Sequence, residues 1–159
     1  MAVAIYPGSF DPVTMGHFDI IQRSAKIFDF VYVAVATNSS KTPLFSVQQR
    51  LELLREATQG IVNVKVITFN GLLIEAAQKN NARIIIKGLR AISDFEYEFQ
   101  MALMNKKLGE EVETLFMATS TKYSYLSSSL VKEVARLGGC IKDLVPPIVH
   151  EKIISQFRD

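Results

Sequence analysis

Three stretches of this 159-residue chain put anion-handling groups where a strand gives way to a loop or a loop opens a helix. Gly16-His17 stands at the start of an apolar-periodic segment, after a polar loop that holds Gly8, Ser9 and Phe10. Lys87-Gly88-Leu89-Arg90 follows the apolar run Ile84-Ile85-Ile86, and Ser127-Ser128-Ser129 opens a later helix. A helix start presents backbone N–H groups and the positive end of its dipole, so it favours an anion. Two cations around a glycine let a phosphate meet charge and backbone together. Lys41, in a fourth loop, adds a flexible point charge. Taken singly, each has a plainer explanation: a solvated lysine, a serine that only caps its helix, a structural histidine. Taken together they supply positive charge and backbone donors, which is most of what phosphoryl and nucleotidyl transfer asks of a protein.

The same loops exclude other chemistries. The first is neither G-x-G-x-x-G nor G-x-x-x-x-G-K-[ST], which disfavours dinucleotide oxidoreductases and Walker-type NTPases. No paired carboxylates, triad or thiolate setting stands out, so glycoside hydrolysis and acyl transfer have little support. Cys140 and His150 have no partners at metal-ligand spacing and are assigned to structure.

The elements that would position these loops follow from hydrophobic period. Residues 2–6, 30–37, 62–67, 83–87 and 114–118 read as strands, the third with Val62, Val64 and Val66 on one face. Between and after them lie helices. One begins near Gly16-His17 with Phe18, Ile21, Ala25 and Phe28 on its apolar stripe, and one is opened by the S-x-x-Q capping box of Ser46 and Gln49. A short one spans residues 72–79, and the longest runs from the Ser93/Glu96 box to Lys106-Lys107, where Gly109 stops it. Another starts at the serine cluster, and a last one covers residues 148–157. Five strands alternating with helices predict an α/β, Rossmann-like, doubly wound five-stranded parallel sheet with helices on both faces. Ligands on such sheets sit beyond the carboxyl ends of the strands, which selects the loops at residues 7–17, 37–45, 87–93 and 118–129. On the longest helix Phe95, Phe99 and residues 101–104 read as core or subunit contact, and Glu98 as a solvated residue.

Composition sets the outer bounds. A chain 48% hydrophobic and of this length is expected to form one domain, residues 1–159. A formal charge of +2 gives no broad footprint for nucleic acid or an anionic membrane, so any anion site is local. One cysteine, no signal-like start and no long apolar run point to a soluble, cytoplasmic protein.

Tyr6-Pro7-Gly8-Ser9-Phe10-Asp11-Pro12 followed by Thr14-Met15-Gly16-His17 resembles the T/H-x-G-H signature of the nucleotidyltransferase superfamily, in the form found in bacterial phosphopantetheine adenylyltransferases. Lys87-Gly88-Leu89-Arg90, Asp94-Phe95-Glu96-Tyr97-Glu98 and Ser127-Ser128-Ser129-Leu130-Val131-Lys132-Glu133 resemble the same family in the same order, over essentially the whole chain. The signature alone is shared with nicotinate-mononucleotide adenylyltransferases and cytidylyltransferases, which typically carry Thr and then Arg in the last motif; here Ser129 is followed by Leu130-Val131-Lys132.

The resemblance implies transfer of AMP from ATP to 4'-phosphopantetheine, giving dephospho-coenzyme A and pyrophosphate, with Mg2+ assisting. It implies His17 as the catalytic residue. For ATP it implies Ser9, Phe10, His17, Gly88, Leu89, Arg90, Glu98, Tyr123, Ser124, Tyr125, Leu126, Ser127, Ser128 and Ser129, and for phosphopantetheine Ser9, Lys41, Leu73 and Lys87. It implies a homohexamer as well. Two positions depart from the family's commonest residues: Ser9 stands where Thr is frequent and Lys87 where Arg is frequent. Ser keeps the hydroxyl, whereas Lys keeps the charge and loses the bidentate fork. The competing class is a passive nucleotide-binding module on the same sheet, which would have no need of cations converging on the transferred group.

Overall fold

In the computed structural model, residues 1–37, 42–90 and 92–158 are described, with residues 92 and 93 as backbone only. Lys41 and the Ser93 half of the expected capping box therefore lie outside the described side chains.

The strands are β1 (Val3–Gly8), β2 (Phe30–Ala36), β3 (Val64–Phe69), β4 (Ile84–Leu89) and β5 (Glu113–Ala118). The helices are α1 (Met15–Ile27), α2 (Val47–Thr58), α3 (Leu73–Lys79), α4 (Ile92–Leu108), α5 (Ser128–Arg136) and α6 (Pro147–Arg158). All strand pairs are parallel and the order is β3-β2-β1-β4-β5, the doubly wound arrangement expected from the alternation. The order reverses between β1 and β4, which opens a crevice at their carboxyl ends.

Side-chain alternation divides the core between the two faces of the sheet. Ala4, Tyr6, Val33 and Ile86 pack with Ile20, Ile21, Leu54, Val131 and Val149, so α1, α2, α5 and α6 cover one face. Val3, Ile5 and Ile85 pack with Ile74 and Ala77 of α3 on the other. There α4 continues the layer, Phe95 lying 6.0 Å from Phe116 of β5. Each fully buried aliphatic side chain of this kind contributes about 1.5–3 kcal/mol, and adjacent residues such as Ile85 and Ile86 serve opposite faces. A one-residue slip of β4 would expose both sets.

Local signals explain the boundaries. The Ser46 hydroxyl accepts from the Gln49 amide and the Ser46 amide in turn donates to Gln49 Oε1, closing the capping box that opens α2. Gly109 ends α4, and a Cβ there would come within 2.6 Å of Ile74, so the close approach of α4 to α3 requires glycine. The third strand departs from expectation: it begins at Val64, and Val62 is 98% exposed. A turn closed by the Val64 amide on Ile61 O precedes the strand, and Asn63 donates its side-chain amide to Ala25 O and Phe28 O. That polar anchor sets the strand start where apolar alternation alone would place it two residues earlier. On α1 the buried stripe runs through Ile20, Ile21 and Ser24, with Phe18 only half-buried.

Candidate active site

A cavity of about 570 Å3 opens beyond the carboxyl ends of β1 and β4. Its walls come from the loops after β1, β4 and β5, the start of α5, and Thr42-Pro43 ahead of α2.

The first wall is built by the start of α1. Thr14 caps the helix, its hydroxyl oxygen accepting the His17 amide at 3.3 Å. In return the Thr14 amide donates to Nδ1 of the His17 ring at 3.0 Å, with the Thr14 hydroxyl 3.2 Å from the same nitrogen. A nitrogen that accepts an N–H cannot carry a proton, so the ring is the Nε2–H tautomer. Phe10, in a left-handed conformation at φ 49°, sets its ring edge-to-face against His17 at 5.0 Å. Burial, and then the nearby positive charge of Arg90, hold the His17 pKa down to about 4. At neutral pH His17 is thus an uncharged donor through Nε2. The Tyr6 phenol, edge-to-face with Phe10 in the same wall, is pushed far up by burial and stays protonated.

The α1 start offers fewer free amides than expected. Met15 donates to Leu144 O, His17 to Thr14 Oγ1 and Phe18 to Thr14 O. Gly16, which lines the cavity, is left as the first-turn amide with no partner among the described residues.

The serine cluster at α5 divides into separate tasks. Ser127 caps the helix through its hydroxyl to the Leu130 amide at 3.1 Å. Ser128 donates its hydroxyl to Pro12 O at 2.7 Å, tying α5 to the first loop. Ser129 is exposed and keeps its hydroxyl for the cavity. The backbone amides of Ser128 and Ser129 point out of the first turn of α5 with the helix dipole behind them.

The two cations at the carboxyl end of β4, Lys87 within the strand and Arg90 just after it, are both held by carboxylates. Lys87 Nζ lies 3.3 Å from Glu98 Oε2 of α4, a partly buried pair in the cavity wall. This spacing is an ion pair without hydrogen-bond alignment, and that oxygen has no hydrogen-bond partner among the described residues. Glu98 was expected to be a solvated residue on sequence alone; the structure turns it into the cavity. Arg90 donates Nε to Asp94 at 3.2 Å and Nη1 to Leu126 O at 3.0 Å, which fixes the plane of its guanidinium.

Of the residues expected to bind ligand, Ser9, His17, Lys87, Gly88, Arg90, Glu98, Tyr123 and Leu126 through Ser129 line this cavity. Phe10, Leu89, Ser124, Tyr125 and Leu73 do not. Phe10 is buried behind His17, and Leu73 packs on the α3 face of the sheet, the face toward which Lys87 also points. Lys41 lies outside the described residues and adjoins Thr42, which lines the cavity. Three polar contacts in the cavity wall involve residues given no role from sequence, Thr14, Asp11 and Lys132. Thr14 holds His17; Asp11 and Lys132 pair at 3.2 Å across the mouth. Asp11 also accepts the Leu44 and Phe45 amides at 2.9 and 2.8 Å. The position of Thr14 before an apolar-periodic helix is the cap signal that marks the first of them, whereas the Asp11–Lys132 pair spans 121 residues and leaves no local trace.

Among the described residues no group of three or more His, Cys, Asp or Glu is placed to hold a metal ion, and no helix is long and apolar enough to cross a membrane.

Residues 5–134 match the model of the cytidylyltransferase-like family. The phosphopantetheine adenylyltransferase of Caldanaerobacter subterraneus subsp. tengcongensis is 63% identical over 158 residues, 99% of either chain. That of Dictyoglomus turgidum is 60% identical over the same share. Among solved structures, the nicotinic acid mononucleotide adenylyltransferase of Plasmodium falciparum complexed with NaAD superposes with a TM-score of 0.70 over 97% of this chain and 95% of its own; at 14% identity this likeness is one of fold.

Proposed function

The chain belongs to the phosphopantetheine adenylyltransferases of the cytidylyltransferase-like family, and from that premise we propose how its cavity performs the transfer. The enzyme moves the adenylyl group of ATP to 4'-phosphopantetheine, releasing pyrophosphate and giving dephospho-coenzyme A.

The observation that carries the reading is the tautomer of His17: Nδ1 is taken by the Thr14 amide, so the ring offers Nε2–H to the cavity as a neutral donor. The acceptor's phosphate is an ionised nucleophile, so no general base is required. One of its oxygens attacks the α-phosphorus in line, the bond from that phosphorus to the bridging oxygen of the β-phosphate breaks, and the electron pair leaves with pyrophosphate. His17 Nε2–H stabilises charge developing on the α-phosphate oxygens, a task of the oxyanion-hole type. Arg90, with its plane fixed, and the Ser128 and Ser129 amides at the start of α5 receive the ATP phosphates, while Gly88, Glu98 and the loop from Tyr123 to Ser129 form the rest of the nucleotide site. Phe10 acts from behind His17, while Leu89, Ser124 and Tyr125 contribute from the segments adjoining the cavity.

Lys87 and Ser9 hold the acceptor phosphate, with Lys41 from the neighbouring loop. Leu73 lies on the same side of the sheet as Lys87 and meets the pantetheine arm beyond the cavity. Lys87 must exchange Glu98 for the acceptor phosphate, which a point charge does readily. Mg2+ enters with the ATP phosphates. Asp11 is engaged by two amides and Lys132, and Glu98 by Lys87, so among the described residues there is no ready-made cluster for the ion. Residues 1–159 act as one domain in the cytoplasm, assembled as a hexamer through the apolar side of α4.

The test is a pyrophosphate-release assay with ATP and Mg2+ and, in parallel, 4'-phosphopantetheine, nicotinate mononucleotide and glycerol phosphate at equal concentration. Turnover with the first alone is expected. A nicotinate carboxylate would need a cationic partner, and residues 69–77 hold no Lys, Arg or His; a buried charge without a counter-charge is rejected strongly. Comparable rates with nicotinate mononucleotide would overturn the acceptor, and no turnover with any of the three would restore the passive-binder reading.

A further inference from the structure

Arg50 is the largest fully buried side chain of the protein, 2% exposed, on the inner side of α2. Among the described residues no carboxylate pairs with it. Its guanidinium instead donates to three backbone carbonyls: Nε to Phe45 O at 3.2 Å, Nη1 to Ser9 O at 2.9 Å and Nη1 to Ala36 O at 3.4 Å. These carbonyls belong to the loop after β1, the end of β2 and the segment that leads into α2. A buried cation without a counter-ion is costly, and a core position on an amphipathic helix would ordinarily carry Leu or Met.

Asp11 acts on the same segment from the opposite side. Its carboxylate accepts the Leu44 and Phe45 amides, so the peptide groups flanking Phe45 are gripped at the N–H end by an anion and at the C=O end by a cation. The Phe45 ring is fully buried between them. The outcome is a backbone clamp that joins the Ser9 loop to the chain carrying Thr42 and Pro43 in the cavity wall. Nothing in a purely hydrophobic anchor would fix both loops in one register, because carbonyl positions are set by direction as well as by contact.

We infer that Arg50 is a positioning residue for the acceptor side of the active site, holding Ser9 and the 42–45 segment at a fixed separation without touching substrate. The assignment of that side to phosphopantetheine rests on the function proposed above; the clamp itself does not.

The experiment compares Arg50→Leu, Arg50→Lys and the control Leu54→Ala, another buried residue of α2 that packs only in the core. Titration calorimetry measures the Kd of 4'-phosphopantetheine and of ATP separately, and amide hydrogen exchange follows Leu44 and Phe45. Arg50→Leu is expected to weaken phosphopantetheine by roughly 10-fold or more and ATP by less than about 3-fold, with faster exchange at the two amides. Arg50→Lys, able to reach some of the carbonyls without the fork, should fall between it and the wild type. Leu54→Ala should lower the melting temperature and leave the ratio of the two Kd values unchanged. Equal weakening of both ligands, no weakening of either, or the same split from Leu54→Ala would overturn the inference. Should Arg50→Leu not fold, Arg50→Lys carries the same comparison. If the wild-type protein binds no phosphopantetheine, the functional reading fails, while faster exchange at Leu44 and Phe45 in Arg50→Lys would still establish the clamp and unchanged exchange would remove it.

Discussion

The Thr14 amide donates to Nδ1 of His17 at 3.0 Å while the His17 amide donates to the Thr14 hydroxyl, so one capping interaction both starts α1 and orients the imidazole. Helix capping and the donor state of the ring are therefore one arrangement. Capping boxes usually place Glu or Gln at this third helical position; His there performs the same closure and keeps a second nitrogen for the cavity.

Replacing His17 with Ala should lower kcat by on the order of 10²–10³ with the fold intact, the scale seen when one donor to a developing oxyanion is removed. Steady-state kinetics alongside circular dichroism check this. Near-normal turnover in a folded protein would remove His17 from the reaction.

The pKa of His17, held down to about 4 by burial and then by Arg90, fixes the sign of two pH effects. First, the reactive ring is neutral, so kcat should show no His17 limb near 6.5 and should lose the neutral donor only as pH falls toward 4. Second, between pH 6.5 and 4 the unfolded chain takes up a proton at His17 that the folded chain refuses, so stability falls as pH drops through that window. Urea midpoints at pH 7, 5.5 and 4.5 should decline more steeply for the wild type than for His17→Asn. Parallel declines would show that His17 contributes nothing to the slope.

Lys87 lies 3.3 Å from Glu98 in the cavity wall, and the function proposed above gives it the acceptor phosphate. Lys87→Ala should raise the KM for phosphopantetheine severely, by roughly 10²-fold on the scale of a lost charge-assisted contact with its partner left unpaired, and should also leave Glu98 without its counter-ion. Lys87→Arg should retain much of the activity, since a fork can serve the same phosphate. Unchanged KM and kcat in Lys87→Ala would move the residue out of the site.

Helix α4 exposes Phe95, Phe99, Met101, Leu103 and Met104, with the rings of Phe95 and Phe99 stacked at 5.4 Å. The hexamer proposed above would cover these apolar side chains. Sedimentation of the wild type should give an assembly of about six chains, and Leu103→Glu, on α4 but outside the cavity lining, should shift it to smaller species. A wild-type monomer would leave the patch without its expected role.

The strand–helix alternation, the parallel sheet and the four loops at the ligand edge can be read from the chain alone, because they depend on period and on residues adjacent in sequence. Gly16-His17, Lys87-Gly88-Leu89-Arg90 and the serine cluster were legible for that reason. Which groups in those loops remain available depends on contacts between distant segments. Ser128 reaches back to Pro12 across 116 residues and Lys132 to Asp11 across 121, so the tasks of the three serines and the closure of the mouth have no local signature. Glu98 reads as one more charged residue on a helix until α4 is laid over β4, which sets it beside Lys87. Arg50 sits among leucines in a stripe that period alone marks as core. Its hydrogen bonds exist only once β1, β2 and α2 converge, because a guanidinium can exchange water for carbonyls only where the fold has brought those carbonyls within reach.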